Sequence, residues 1–130
     1  MIVIDSSALC SIVLWEGDAM NMARAIERSQ KRLISAANYF ETAMFLQSRL
    51  RDEGRKLFDE LIREAQIETV PVDLAVAERA RQAFLDFGKG RHKAALNLCD
   101  CIAYATAKLR GAPLLAKGGD FQHTDIRLAS

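Results

Sequence analysis

The run Ile2-Val3-Ile4, closed by Asp5-Ser6-Ser7, constrains this chain more than any other stretch. Three consecutive β-branched residues suit a strand covered on both faces, as in a parallel sheet flanked by helices. The strand ends at Asp5, and Ser6 and Ser7 suit the start of a helix. A carboxylate at the carboxyl end of a central parallel strand lies at the edge where open α/β sheets bind ligands. The function of the chain then depends on which other residues gather around Asp5.

Ala8 to Trp15 is mostly apolar and predicts a helix that stops near Glu16-Gly17. Asp18 suits the cap of a second helix to about Ser29, and Arg32 to Ser35 a second strand. Asn38 suits the cap of a long helix, Tyr39 to Arg51. Leu57, Phe58, Leu61, Ile62 and Ala65 repeat at three and four, which predicts an amphipathic helix over Arg55 to Ala65. Ile67 to Val70 reads as a third strand. Pro71 interrupts the chain, and Asp73 caps a helix to Phe87. Gly88 to Lys93 reads as a flexible basic loop. Asn97 to Arg110 is a further helix, closed by Gly111. Leu114 to Ala116 is a fourth strand, Gly118 to Phe121 a tight turn, and Ile126 the centre of a short fifth strand. Strands alternate with helices or helix pairs throughout. The expected fold is α/β: a three-layer α/β/α sandwich around a parallel sheet of about four or five strands, forming one domain over residues 1–130.

Half of the 130 residues are hydrophobic, enough for a sizeable core. Lys and Arg number 18 against 17 Asp and Glu, a net charge of +1 that excludes a strongly basic DNA-coating protein. A local basic patch is still compatible with nucleic acid. Three cysteines without a repeated C-x-x-C argue against a disulfide framework and fit a reducing cytoplasm. No apolar run approaches membrane-spanning length, and the N-terminus lacks the marks of a signal peptide.

Four of the acidic residues stand in apolar company. Asp5 follows Ile-Val-Ile. Glu41 lies between Tyr39-Phe40 and Ala43-Met44-Phe45. Asp100 lies in Leu98-Cys99-Asp100-Cys101-Ile102, and Asp120 follows Leu114-Leu115-Ala116 after a glycine pair. Each has an ordinary structural explanation. Asn38-x-x-Glu41 and Asn97-x-x-Asp100 have the form of capping boxes, and Asp5 and Asp120 each suit the cap of an adjoining helix or turn. In a parallel α/β sheet, however, strand ends and first helical turns share one edge. Four carboxylates converging there repel one another and raise their pKa values. A divalent cation with a taste for hard oxygen ligands, Mg²⁺ or Mn²⁺, relieves that repulsion. Such ions activate water and stabilise a leaving oxygen in phosphodiester cleavage.

These stretches together resemble a known family. Met1-Ile2-Val3-Ile4-Asp5-Ser6-Ser7-Ala8, the isolated Glu41, the run Ala95 to Ala105 around Asp100, and Leu114 to Phe121 around Asp120 are similar, in order and spacing, to the PIN domain. The nearest likeness is to VapC-type toxins of bacterial toxin–antitoxin pairs. The resemblance implies a Mg²⁺- or Mn²⁺-dependent ribonuclease. It carries the acidic quartet onto Asp5, Glu41, Asp100 and Asp120, as catalytic residues and metal ligands, and a hydroxyl near the metal onto Ser7. It implies a VapB-type antitoxin as partner, RNA as substrate and a homodimer. Cys99 departs from the pattern, standing where many relatives have Gly.

Other residues divide between site and surface. Lys89, Arg91, His92 and Lys93 suit either a grip on RNA phosphates or an ordinary solvated loop. Arg49, Arg51, Arg55 and Lys56 form a second basic group that reads as solvated. Cys99 and Cys101 lack the second ligand pair of a zinc site and read as core. Trp15 reads as partly buried, and Asp125 as either a helper of the quartet or a surface turn. Two other functions compete. An inert RNA- or protein-binding PIN module conflicts with retention of all four acids. A phosphatase using Asp5 as nucleophile conflicts with Ser7, where such enzymes carry a second Asp. No glycine-rich nucleotide loop is present.

Overall fold

The computed structural model describes residues 1–129. β1 (Ile2–Ile4) is central in a four-stranded sheet of order β3-β2-β1-β4, with β2 at Arg32–Ser35, β3 at Glu68–Val70 and β4 at Leu114–Leu115. Every pairing is parallel. Alternation along β1 divides the core in two. Val3, Leu33 and Leu114 face α5 (Leu74–Phe87) and α6 (Leu98–Arg110). Ile2, Ile4, Ile34 and Leu115 face α1 (Ser6–Val13), α2 (Ala19–Arg28), α3 (Ala36–Leu50) and α4 (Asp52–Glu64). The β-branched run is buried on both sides because the sheet has a helical layer on each face. The three-layer α/β/α sandwich expected from the sequence is therefore the fold. A short 3₁₀ turn, Asp120–His123, follows β4.

The ends of several elements differ from the sequence expectation, each for a local reason. α3 begins at Ala36 rather than Tyr39, because Ser35, the last residue of β2, is its cap: its side chain accepts from the backbone N–H of Asn38. Asn38 is therefore inside the helix, and the capping box with Glu41 does not form. Asp18 stands at the head of α2, yet its side chain makes no cap there. It accepts from the Ser11 hydroxyl at 2.6 Å instead. α4 starts at Asp52 and accommodates Gly54 within its first turns, because a Cβ there would lie 2.2 Å from the Leu46 carbonyl oxygen of α3. The fifth strand reduces to a single parallel bridge between Leu114 and Leu128. Asp73, Asn97 and the left-handed Gly111 end their helices as read from the sequence.

The sheet changes direction of winding at β1: β2 follows on one side and β4 lies on the other. The crevice beyond the carboxyl ends of β1 and β4 is therefore the position at which such sheets bind ligands. Asp5 immediately follows β1 there. Among the described residues, no helix is long and apolar enough to cross a membrane.

Candidate active site

Asp5 leaves β1 in extended conformation and caps α1. Its Oδ2 accepts from the Ser7 N–H at 3.0 Å and from the Ser7 hydroxyl at 2.6 Å. Ser7 in turn accepts from the backbone N–H of Lys117, just after β4, at 2.9 Å. Asp5 is only 3% exposed, and its Oδ1 has no hydrogen-bond partner among the described residues. An orphaned carboxylate oxygen at this depth is costly unless a cation or donor meets it. Burial pushes the Asp5 carboxyl up to about 6, against the pull of the two Ser7 bonds, and the charges of Asp100 and Glu41 push the same way.

Asp5, Ser6, Ser7, Cys10, Glu41, Phe45 and Asp100 line one cavity of about 290 Å³. Glu41 reaches it from the second turn of α3, beyond the first turn expected from the sequence. The Ser6 hydroxyl donates to its Oε1. Asp100 reaches it from the first turn of α6, where it completes a capping box with Asn97: its Oδ2 accepts from the Asn97 N–H at 3.0 Å, and its own N–H donates to Asn97 Oδ1 at 2.9 Å. Burial raises the Asp100 carboxyl, the Asn97 bond lowers it, and the charges of Glu41 and Asp120 raise it further. Asp120 is exposed and does not line the cavity, but its charge acts on Asp100. Capping and convergence thus coexist at Asp5 and Asp100.

The fit to a hard divalent cation rests on this donor set. Asp5 has a buried carboxylate oxygen without a partner among the described residues, and Asp5 lines a cavity together with two further carboxylates. Among the described residues, no three His, Cys, Asp or Glu side chains close into a finished cage. Mg²⁺ does not require one, since it keeps several waters and typically takes one or two carboxylates. A larger cavity of about 430 Å³ opens between α5 and α6, but Val72, Ala80, Phe84, Leu98 and Ile102 make it apolar and it holds no acid.

Other sequence candidates fall differently. The basic loop is folded, with Lys89 N–H donating to the Leu96 carbonyl and Leu96 N–H to that of Phe87. His92 accepts from the Ala94 N–H through Nδ1 at 3.0 Å and sets its ring edge on Phe87, so it is a packing residue. Lys89, Arg91 and Lys93 are exposed, and none of the four lines the acidic cavity. Arg49 comes nearer: its guanidinium lies 5.5 Å over the ring of Phe45, which does line it. Cys101 is core, as expected. Cys99 is not: it is half-buried beside Glu41, and burial first, then the carboxylates, push its thiol up to about 11. Cys10 lines the cavity, and burial and Asp5 push it equally high. Asp125 accepts from the Tyr104 hydroxyl and pairs with Lys108 at 3.1 Å, so it fastens the C-terminal segment to α6. Trp15 is 67% exposed, contrary to the partial burial expected. Sequence reasoning passed over Ser6, which has no signal beyond its place next to Asp5.

A parallel sheet with helices on both faces and carboxylates converging past its central strand has a counterpart among known families. The chain belongs to the PIN-domain family, whose model matches residues 2–127. Within that family its relatives are VapC ribonucleases. The chain is 44% identical over 124 residues to a VapC ribonuclease of Mycobacterium bovis, covering 95% of each chain. It is 43% identical over 124 residues to a ribonuclease VapC of Mycolicibacterium smegmatis, covering 95% of this chain and 96% of that one. Among solved structures, Mycobacterium tuberculosis VapC20, described as a sarcin–ricin loop cleaving toxin, superposes with a TM-score of 0.77 at 16% identity, covering 97% of this chain and 96% of that one. VapBC2 of Rickettsia felis, bound to a promoter DNA fragment, gives 0.73 at 13% identity, covering 98% and 97%. At these identities the last two establish likeness of fold.

Proposed function

We propose that this chain is the toxin of a VapBC-type pair, an endoribonuclease that depends on Mg²⁺ or Mn²⁺ and works through Asp5, Glu41, Asp100 and Asp120. The observation that carries the reading is the convergence of Asp5, Glu41 and Asp100 on one cavity, with Asp5 Oδ1 buried and unpartnered among the described residues. Asp5 and Asp100 are the principal metal ligands. When bound, the ion supplies the charge that makes water a nucleophile at neutral pH and steadies the leaving oxygen. Ser7 holds Asp5 by one oxygen and leaves the other without a protein partner among the described residues. Ser6 holds Glu41. Asp120, at the exposed side, adds negative charge near Asp100. Arg49, stacked on Phe45, and the exposed Lys89, Arg91 and Lys93 supply cations for the phosphates of RNA. His92 is engaged in its own loop and plays no part as a base.

The antitoxin's docking surface is the exposed apolar face of α3, where Phe40 is 66% and Met44 54% exposed, with Trp15 exposed as well. Phe40 and Met44, four positions apart on one helix, present their apolar side chains on the same face, which suits a partner. Homodimerisation stays part of the proposal. The inert-module alternative takes its support from the lack of a closed three-ligand cage among the described residues. One experiment decides between them: expression of the wild-type chain and of Asp100→Asn without antitoxin, followed by mapping of RNA ends across the transcriptome. New 5′ ends that vanish in the variant are the expected result, and they name the substrate. Wild-type expression without new ends favours the inert module.

A further inference from the structure

The acids of the cavity arrive on separate elements, so something must hold those elements at the right spacing. Ser7 joins Asp5 to the backbone after β4, and Ser6 joins α1 to Glu41. Neither reaches α6, which brings Asp100. Asn38 does. It is fully buried in the first turn of α3. Ser35 grips it twice: the Asn38 N–H donates to Ser35 Oγ at 3.0 Å, and the Ser35 hydroxyl donates to Asn38 Oδ1 at 2.5 Å. Its Nδ2 donates to the carbonyl of Cys99 at 3.2 Å, 61 positions away. A carbonyl only accepts, so the amide nitrogen must be the atom that faces α6. The Cys99 thiol also meets the Glu41 carboxylate across the same gap, but the Asn38 bond is the one that holds the α6 backbone itself.

We propose that Asn38 is a positioning residue of the acidic site, its amide setting the gap between α3 and the first turn of α6 and thereby the spacing of Glu41 and Asp100. The inference rests on the metal-site reading above. Cys99 is the residue directly before Asp100, so a shift of its carbonyl carries the carboxylate with it. Helix capping does not explain Asn38, because Ser35 already caps α3. A buried amide costs desolvation that an apolar residue avoids. What it adds is the tie to the neighbouring helix.

The test is Mn²⁺ binding by the full-length chain, measured by calorimetry and by the electron-spin signal of free Mn²⁺, with thermal melting in EDTA alongside. Thr42→Val is the control: Thr42 is equally buried, but its hydroxyl serves only the Asn38 carbonyl of its own helix, at 2.7 Å. Asn38→Ala is expected to weaken Mn²⁺ binding by about tenfold or more, the usual loss when a partner behind the ligands is removed. Thr42→Val is expected to lower the melting temperature and keep wild-type affinity. Asn38→Ser still reaches Ser35 but is too short for Cys99. It is expected to match the alanine variant, and it serves if that variant does not fold. Wild-type affinity in the Asn38 variants overturns the proposal, and so does equal weakening in Thr42→Val, which would mean general loosening of α3. If the wild type binds no more Mn²⁺ than Asp5→Asn, the metal-site reading itself fails, and the spacing role with it.

Discussion

The hydroxyl of Ser6 donates to Oε1 of Glu41, joining the first turn of α1 to the second turn of α3 across 35 positions of sequence. Ser6 and Ser7 are adjacent, yet they serve different acids. Ser7 turns back to Asp5, while Ser6 reaches across to Glu41. Two neighbouring hydroxyls at one helix start thus orient two carboxylates from different parts of the sheet edge.

Ser6→Ala is expected to release Glu41 and lower ribonuclease turnover by roughly tenfold, as for other partners behind metal ligands. Stability is expected to change by about 1 kcal/mol or less, because Glu41 is half-buried and water can replace the lost donor. The measurement is kcat on a defined RNA beside a urea melt. Unchanged turnover would show that Glu41 needs no such hold.

Asp5→Asn is expected to abolish cleavage and, in EDTA near neutral pH, to stabilise the fold. The amide oxygen retains the two Ser7 bonds, while the buried charge disappears. A shift from 3.8 to about 6 corresponds to about 2–3 kcal/mol, at about 1.4 kcal/mol per pH unit. Chemical denaturation of both proteins in EDTA checks this, and a less stable variant would contradict the assigned cost of the buried carboxylate.

The same shift fixes the sign of the pH dependence. The folded-state pKa of Asp5 is raised, so the folded protein holds a proton that the unfolded chain releases between about pH 4 and 6. Stability of the metal-free protein is therefore expected to rise as the pH falls from about 6.5 to 4, and Asp100, also raised, acts in the same direction. Asp18 and Asp125 are lowered and oppose this only below that window. Millimolar Mn²⁺ is expected to raise the melting temperature at the higher pH and to lose effect at the lower, where protons compete. A melting temperature in EDTA that is flat or falling over this range would count against the carboxylate assignment.

Gly54→Ala is expected to destabilise by several kcal/mol. The added Cβ would lie 2.2 Å from the Leu46 carbonyl oxygen, a backbone atom that cannot move without separating α3 from α4. Thermal melting checks it, and a near-neutral result would mean that the two helices can part at little cost.

Much of this molecule was legible from local chemistry. Ile2-Val3-Ile4 specified a doubly covered strand because β-branching and hydrophobicity act within a few residues. Asp73, Asn97 and Gly111 ended their helices as read, because a cap needs only its neighbours. Asp5, Glu41 and Asp100 were recognisable by an unusual property, charge in apolar company, and they line one cavity. The errors came where a more distant group competed for the same side chain. Ser11 took Asp18 from its helix end, and Asp125, left open by the sequence, is settled by its bonds to Tyr104 and Lys108.

The sequence by itself determined the order of the four strands and the helices between them, though not every boundary, and which acids would be costly to bury alone, since those are properties of short stretches. Only the tertiary structure decided that Ser6 meets Glu41, that Asn38 meets the carbonyl before Asp100, and that one oxygen of Asp5 has no partner among the described residues. Those relations depend on the gap between packed layers. That gap is set by the whole core at once, and no local pattern encodes it.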